Sequence, residues 1–427
     1  MEENKEKIPA EYEKPKKSGY KLIKKRSTVK MPKAKYDDAF DKENPYFIKI
    51  AKKYAILKYV SIFLTFVFAI TMLTAFSEDI TPENFQYLLK DLDITGVLSG
   101  NTFDSVIYSG GSTSSFGIYR GELAVINAGS TMLYKPSGAL SYSDTNKFYN
   151  PRLVISDKYM LIYDRGDTTC SYSIHNSFAK LREEKFSFPI TLADISDKGS
   201  YGVVTRDDSF RSIVYLYDEN FNLKITIKKD KYVLALSLNE AGNKVAISSV
   251  YDKDGGFESE ILVLGISSET PDFSVYESGK IPLKSEWLKN GDLAVLFSDC
   301  AIVYAPNGDR RATLDLSNLS SHNLELNSSL IVSVYNNTVL GYDKTVNIYN
   351  EYAELIMTTS LEGELIKILP GNDKVCFLFE DRAVLIDLTT REAKEAPIKP
   401  NAKDIVFYYD TVIVCYSGGA EPLKFGE

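Results

Sequence analysis

Residues 285–309 read SEWLKNGDLAVLFSDCAIVYAPNGD. Two apolar runs of five, Leu293–Phe297 and Cys300–Tyr304, are separated by Ser-Asp and bounded by Asn-Gly and Asn-Gly-Asp clusters. Short runs rich in Val, Ile, Tyr and Phe between such clusters read as strands joined by tight turns. Working outward, "STMLYKPSG", "TCSYSIHNS", "SIVYLYDEN", "SEILVLGISS", "KTVNIYNEY" and "RAVLIDLTT" repeat the second half of this stretch. Their strand ends fall at Tyr134, Ile174, Tyr217, Leu264, Tyr304, Tyr349 and Ile386, in steps of 40, 43, 47, 40, 45 and 37. The first half, an apolar pair, a polar turn and a second apolar run, recurs ahead of most of them, as in "VISDKYMLIY", "ISDKGSYGVV" and "LPGNDKVCFLF". Two such units per 40-odd residues make about four strands per repeat.

A four-stranded unit with this period is the signature of a β-propeller blade. The short turns and the lack of helices between strands exclude an α/β sheet. Seven units fit between Ser114 and Lys399, leaving "KDIVFYY" and "TVIVCYSGG" at one end and "DSVIYSGG" at the other. Remnants at both ends suit a ring that closes by sharing one blade between its termini, which removes exposed sheet edges. The fold class expected is therefore all-β, a propeller of eight four-stranded blades with seven as the alternative, over residues 101–427.

Upstream, the character changes. Residues 1–58 hold 17 Lys+Arg against 9 Asp+Glu, whereas the rest holds 33 against 49. Between these halves, Tyr59–Phe76 is 18 residues without a charge, about 27 Å of helix and close to a hydrocarbon core. Its apolar groups are Tyr59, Ile62, Phe63, Leu64, Phe66, Val67, Phe68, Ile70, Met72, Leu73 and Phe76; the interruptions are hydroxyls, which bond back to their own helix. Ala75-Phe76-Ser77 is small at the two positions a signal peptidase inspects, but the leader would run to 58 residues. An uncleaved anchor, residues 45–77 including the juxtamembrane part, is the favoured reading. Lys49, Lys52, Lys53 and Lys58 precede it while Glu78 and Asp79 follow, which places the N-terminus in the cytoplasm and the propeller outside the cell membrane. Residues 1–44, rich in Lys, Glu and Pro, read as a disordered basic tail, with anionic inner-leaflet lipid as one ligand for "YKLIKKRSTVKMPKAK". Residues 78–100 read as a stalk, helical over "TPENFQYLLKDLD".

The repeat units resemble degenerate WD40 or quinoprotein-type blades, although Trp-Asp and Gly-His dipeptides are absent and the lone Trp287 sits at an inner-strand turn. Quinoprotein dehydrogenases carry a Trp in each blade and a metal beside the quinone, so the departure argues against redox catalysis. The layout of basic tail, single span and outer propeller is similar to a family of unknown function, single-pass membrane-anchored envelope proteins of Gram-positive bacteria. More distantly it resembles the eight-bladed scaffold subunit of outer-membrane assembly machines, a lipoprotein with no enzyme chemistry.

Candidate chemistry is sparse. His175 and His322 are the only histidines, both in turn-like sequence, which leaves no basis for a Ser/His/Asp triad or a His-based metal site. "YDKDGGFESE" (Tyr251–Glu260) has Asp252, Asp254 and Glu258 near a Gly pair, but the twelfth loop position is Val263, and a hairpin closed by Asp-Gly is the better account. Arg165-Gly166-Asp167 falls where a blade hairpin should turn. Asn318, Asn327 and Asn336 begin glycosylation acceptors that matter only in a glycosylating cell. Cys170, Cys300, Cys376 and Cys415 lack metal spacing and read as buried thiols, with a Cys376–Cys415 disulfide as the alternative. The downstream acidity argues against nucleic acid. The expectation is thus a non-enzymatic, cofactor-free, membrane-tethered propeller that binds a protein partner as scaffold or sensor. The rival is a cell-wall carbohydrate hydrolase or lyase using carboxylates that face the central funnel.

Overall fold

The structure is a computed structural model and describes residues 45–75, Gln86 and 103–426, apart from 110, 112, 167, 316–321 and 338–341. The tail 1–44, Phe76, Ser77 and the stalk except Gln86 therefore lie outside the described residues, as do Asp167 and Asn318. The chain divides into two units, Met1–Leu92 and Asp93–Glu427.

In the first unit one helix, α1, runs unbroken from Pro45 to Ala75. Proline suits its first position, where the missing N–H costs no hydrogen bond. No polar stripe follows the helical period, and every side chain described from Ala51 to Thr71 is exposed. The hydroxyls behave as the sequence implies: Thr65 Oγ1 donates to Ser61 O at 2.9 Å, Thr71 to Val67 O at 3.0 Å and Thr74 to Ile70 O at 3.0 Å. Over Lys49–Thr71 the mean hydropathy is 1.8.

The second unit is an eight-bladed β-propeller in which every blade is a four-stranded antiparallel sheet. Blades 1 to 7 cover residues 114–145, 151–185, 192–229, 232–278, 282–315, 322–362 and 365–397. In each, chain order is spatial order. First strands of neighbouring blades touch one another, as blade 2 touches blade 1 and blade 4 touches blade 5, so first strands ring the central axis and fourth strands form the rim. Second strands, and most third strands, are buried over much of their length, as in Glu122–Asn127, Leu293–Phe297 and Cys300–Tyr304. That is why they read as continuous apolar runs. Fourth strands alternate: Leu223–Lys229 is LKITIKK, with every second side chain turned to solvent until the buried Lys229.

The residues chosen from sequence as repeat markers, from Tyr134 to Ile386, all lie in third strands. At six of the seven the register shifts at or beside the marker, as between Leu216 and Tyr217 or Val303 and Tyr304. After Tyr134, Tyr217, Tyr304 and Tyr349 the turn ends on a left-handed residue whose N–H closes a tight turn, as Gly308 (φ 87°) does onto Ala305 O at 2.8 Å.

Blade 8 confirms the shared closure and the count of eight. It is built from Asp404–Tyr408, Thr411–Cys415, Gly419–Pro422 and, at the rim, the N-terminal strand Val106–Ile107. The sequence reading found the first two and the last; Gly419–Pro422 is an additional strand. Across the seam, Phe103, Val106 and Tyr108 pack with Tyr408, Ile413, Leu123 and Tyr134 in one apolar cluster. Tyr108 also donates its hydroxyl to Tyr416 O and Gly419 O at 2.8 Å. The four cysteines are free and buried, so the Cys376–Cys415 alternative falls away. Those two stand on second strands of neighbouring blades and belong to separate apolar clusters.

Candidate functional site: the central channel

Antiparallel order puts the turns between strands one and two, and three and four, on one face of the ring. On that face a channel of about 1180 Å³ opens between blades 2 and 6. In blades 2 to 5 the penultimate residue of the first strand lines it. Around blades 1 to 8 that position holds Ile118, Val154, Asp194, Ser237, Glu286, Glu325, Leu369 and Phe407. Polar groups thus occupy four consecutive blades, 3 to 6, and apolar groups the other four. Two residues beyond the strand end, the turns of blades 2 to 4 add Asp157, Asp197 and Glu240 at the mouth.

The carboxyls sit in an unusual electrostatic setting. Asp194 lies deep, its residual exposure being to the lumen, and burial pushes its carboxyl up to about 7. The Leu238 N–H, 2.7 Å from Oδ2, works against this, while Glu286 adds like-charge repulsion. Glu286 is also raised, again mainly by burial; Lys284 opposes the shift, and Glu325 and Asp197 reinforce it. Asp197 is raised by burial too, although its Oδ1 accepts the Asp157 N–H at 3.2 Å. Among the described residues no donor reaches the Glu286 carboxyl. Three of the four lysines lining the channel are engaged elsewhere: Lys284 with Glu325, Lys244 with Asp272 at 2.7 Å, and Lys289 with Asn372 of blade 7 at 3.0 Å. Lys198 stays at the exposed rim. Leu192, Leu234, Leu236 and Leu283 supply apolar wall. Trp287 ends the first strand of blade 5, as expected, and donates Nε1–H to Ser237 O at 3.1 Å.

The residues singled out from sequence lie elsewhere. His175 is not in a turn: it ends the third strand of blade 2, 1% exposed, with Nδ1 2.9 Å from Tyr142 Oη and Nε2 2.8 Å from Ser173 Oγ. Burial lowers its imidazole to about 4. His322 opens the first strand of blade 6, again a strand and not a turn. Asp254 (φ 56°) and Gly255 (φ 76°) form the two-residue hairpin turn between Lys253 and Gly256, and Glu258 is held by Lys253 at 2.7 Å. Arg165 and Gly166 lie in the turn between second and third strands of blade 2. Asn327 is consumed by the fold, donating to Pro370 O at 3.0 Å and Gly371 O at 2.9 Å. Asn336 accepts from Lys344 Nζ at 2.9 Å. Among the described residues no group of three or more His, Cys, Asp or Glu is placed to hold a metal ion.

Sequence reasoning singled out neither Asp194 nor Glu286, nor the mouth acids Asp157 and Asp197. The signal was present in the repeat itself: aligned on their turns, "ADISDKG" and "SEWLKNG" put Asp194 and Glu286 at one position where "LVISDK" has Val154.

Comparison with known proteins agrees with this architecture. A family described as "Family of unknown function (DUF5711)" matches residues 102–425. No curated protein matches. The crystal structure of BamB from Moraxella catarrhalis is similar, with 12% identity and a TM-score of 0.52, covering 76% of this chain and 99% of that one. The Cps50 (Swd1) β-propeller domain of Myceliophteria thermophila has 11% identity and a TM-score of 0.44, covering 69% and 99%.

Proposed function

We propose that this chain, which belongs to the family of unknown function DUF5711, is a membrane-tethered propeller that binds protein partners at the cell envelope as a non-catalytic scaffold or sensor. The observation that carries the reading is the channel that opens among the first strands of the ring and is lined by both carboxyls and leucines. A rigid ring presents such a surface without paying to order it on binding. Both ring nitrogens of His175 are spent inside a blade seam, which removes it from chemistry. Tethering is supported by α1, whose Lys49–Thr71 segment is about 35 Å long against a hydrocarbon core of about 30 Å. The lysines before it favour a cytoplasmic N-terminus.

Crosslinking and affinity capture from native membranes test this. A protein retained by the full chain supports the reading. Retention of none, together with activity on wall glycans, overturns it.

The carbohydrate-enzyme reading has one specific observation in its favour: Asp194 and Glu286 share the channel and both are raised, as a general acid requires. Release of reducing ends from wall glycan, abolished in Glu286→Gln, would establish it.

A further inference from the structure

The fourth strand of each blade is the edge of its sheet, and most of these edges are guarded. The rim strands of blades 2, 3, 4, 5 and 7 read KLREEK, LKITIKK, PDFSVYES, RRATLD and AKEAP, each with charges or proline within it. That of blade 1 carries Asp144, and that of blade 8 is 2 residues long. Charge, proline and shortness are the usual means of keeping an edge from pairing with another chain. Blade 6 is the exception. Its rim strand, Leu355–Glu362, reads LIMTTSLE, 8 residues without proline and without a charge before the last. Among the described residues it pairs only with the third strand of its own blade, Asp343–Asn350.

The register shows which backbone groups of this edge are free. Gly363 N–H donates to Tyr342 O at 3.0 Å, so the pair just beyond the strand is hydrogen-bonded. Antiparallel pairs alternate between bonded and non-bonded. Leu361, Thr359 and Met357 therefore bond inward, while Glu362, Ser360 and Thr358 turn their N–H and C=O groups outward. Arg382 takes the Glu362 carbonyl at 2.8 Å. Thr358 and Ser360 are exposed, and among the described residues nothing meets their outward backbone groups. Both ends of the strand are acidic: Glu354 at one, Glu362 and Glu364 at the other, all exposed and without an ion pair among the described residues. Glu354 and Glu362 stand about 27 Å apart along the strand. We propose that the rim of blade 6 takes up an extended segment of a protein partner as a fifth strand, one with an uncharged middle and a lysine or arginine towards each end. Main-chain hydrogen bonds to Thr358 and Ser360 hold the segment, and its basic ends meet the glutamates. Charge disfavours a second copy of the same strand, because antiparallel self-pairing centred on Thr358 sets Glu354 of one copy against Glu362 of the other. This deepens, and rests on, the protein-binding reading above.

The test uses the full chain in a zwitterionic detergent and a fluorescein-labelled peptide of about nine residues, Lys at each end and alternating Thr and Val between, long enough to span the glutamates. One control peptide has Glu at both ends; another is N-methylated at two adjacent central residues, which blocks both of its edges. The lysine-ended peptide is expected to raise anisotropy saturably and to slow amide exchange at Thr358 and Ser360. Affinity should fall at least tenfold in Ser360→Pro, which removes one outward N–H at a position where an edge strand tolerates proline. It should fall at least threefold in Glu354→Gln/Glu362→Gln, which changes only exposed side chains. Asp410→Asn, an exposed turn acid paired with Lys374 between blades 7 and 8, should bind like wild type. No binding of the lysine-ended peptide, equal binding of either control peptide, or equal affinity in Ser360→Pro and in the double variant would each overturn the inference. So would a dimer of the chain that Ser360→Pro dissolves, since the edge would then belong to a second copy. Membrane capture separates the two readings. A partner retained equally by Ser360→Pro leaves protein binding standing while the strand site falls.

Discussion

Tyr142 and Ser173 hold the imidazole of His175 by both nitrogens in the outer part of blades 1 and 2. Burial is the main reason it stays neutral to about pH 4, with Lys180 adding to the effect and Asp144 and Glu183 opposing it. An unfolded histidine titrates near 6.5, so between about 6.5 and 4 the unfolded chain binds a proton that the folded one refuses. Stability must therefore fall as pH falls through that window, by about 2 kcal/mol between pH 7 and 4.5. His175→Gln keeps a polar side chain in the seam and is expected to lose that share of the decline, measured by urea unfolding at the two pH values. Asp194 has the opposite sign. Its folded carboxyl titrates near 7 and its unfolded one near 4, so the folded state binds the extra proton and stability rises as pH falls across that interval. Asp194→Asn should stabilise the protein at pH 8 by on the order of 2 kcal/mol and change little at pH 4. Unchanged unfolding at pH 8 would show that Asp194 carries no electrostatic load.

At the scale of elements, the closing strand and α1 make separate predictions. A Cβ on Gly419 would stand 2.7 Å from Val106 O, a backbone atom with nowhere to move. Gly419→Ala should cost roughly 1–3 kcal/mol and speed hydrogen exchange at Val106 and Ile107, which pair with Ala420 and Gly419. Protection that persists there would mean the seam relies on its side-chain cluster alone. In α1, Phe66 is exposed along with its neighbours. Phe66→Arg should weaken membrane insertion by about 2.5–3.5 kcal/mol, read as a smaller fraction resisting carbonate extraction. Legibility differs between these elements for a physical reason. Second and third strands announce themselves because burial demands apolar side chains, and α1 does so by a charge-free apolar run long enough to cross a membrane. Gly419–Pro422 does not, since "GAEP" contributes backbone to the blade and almost no apolar side chain.

For the whole molecule, the ring was readable because a blade must repeat its apolar pairs at one interval, from "MLIY" around Ile162 to "CFLF" around Phe377. The channel was not readable in the same way. Asp194 and Glu286 are 92 positions apart, and nothing local to either distinguishes a lumen carboxyl from a turn acid. Only the ring places first strands side by side, and with them a polar arc on blades 3 to 6. Removing the N-terminal residues through 113 takes the rim strand from blade 8 and bares the edge of Gly419–Pro422. A chain lacking it should aggregate more than one that begins at residue 101, since an unpaired edge templates association; light scattering after size exclusion measures the difference.

The strand that completes the ring is also among the first propeller residues to be synthesised. Val106 pairs with Ala420, and at about 5–20 residues per second the ribosome needs roughly 15–60 s to travel between them. For that interval the ring is a growing open arc, and Val106–Ile107 waits for a partner that does not yet exist. Blades 1 to 7 can each fold as they emerge, from strands adjacent in sequence, but blade 8 depends on the longest-range contact in the domain, the slowest kind to form. Closure thus waits until blade 8 has been synthesised, and the unpaired seam during the wait is where a chaperone or a premature strand partner would act.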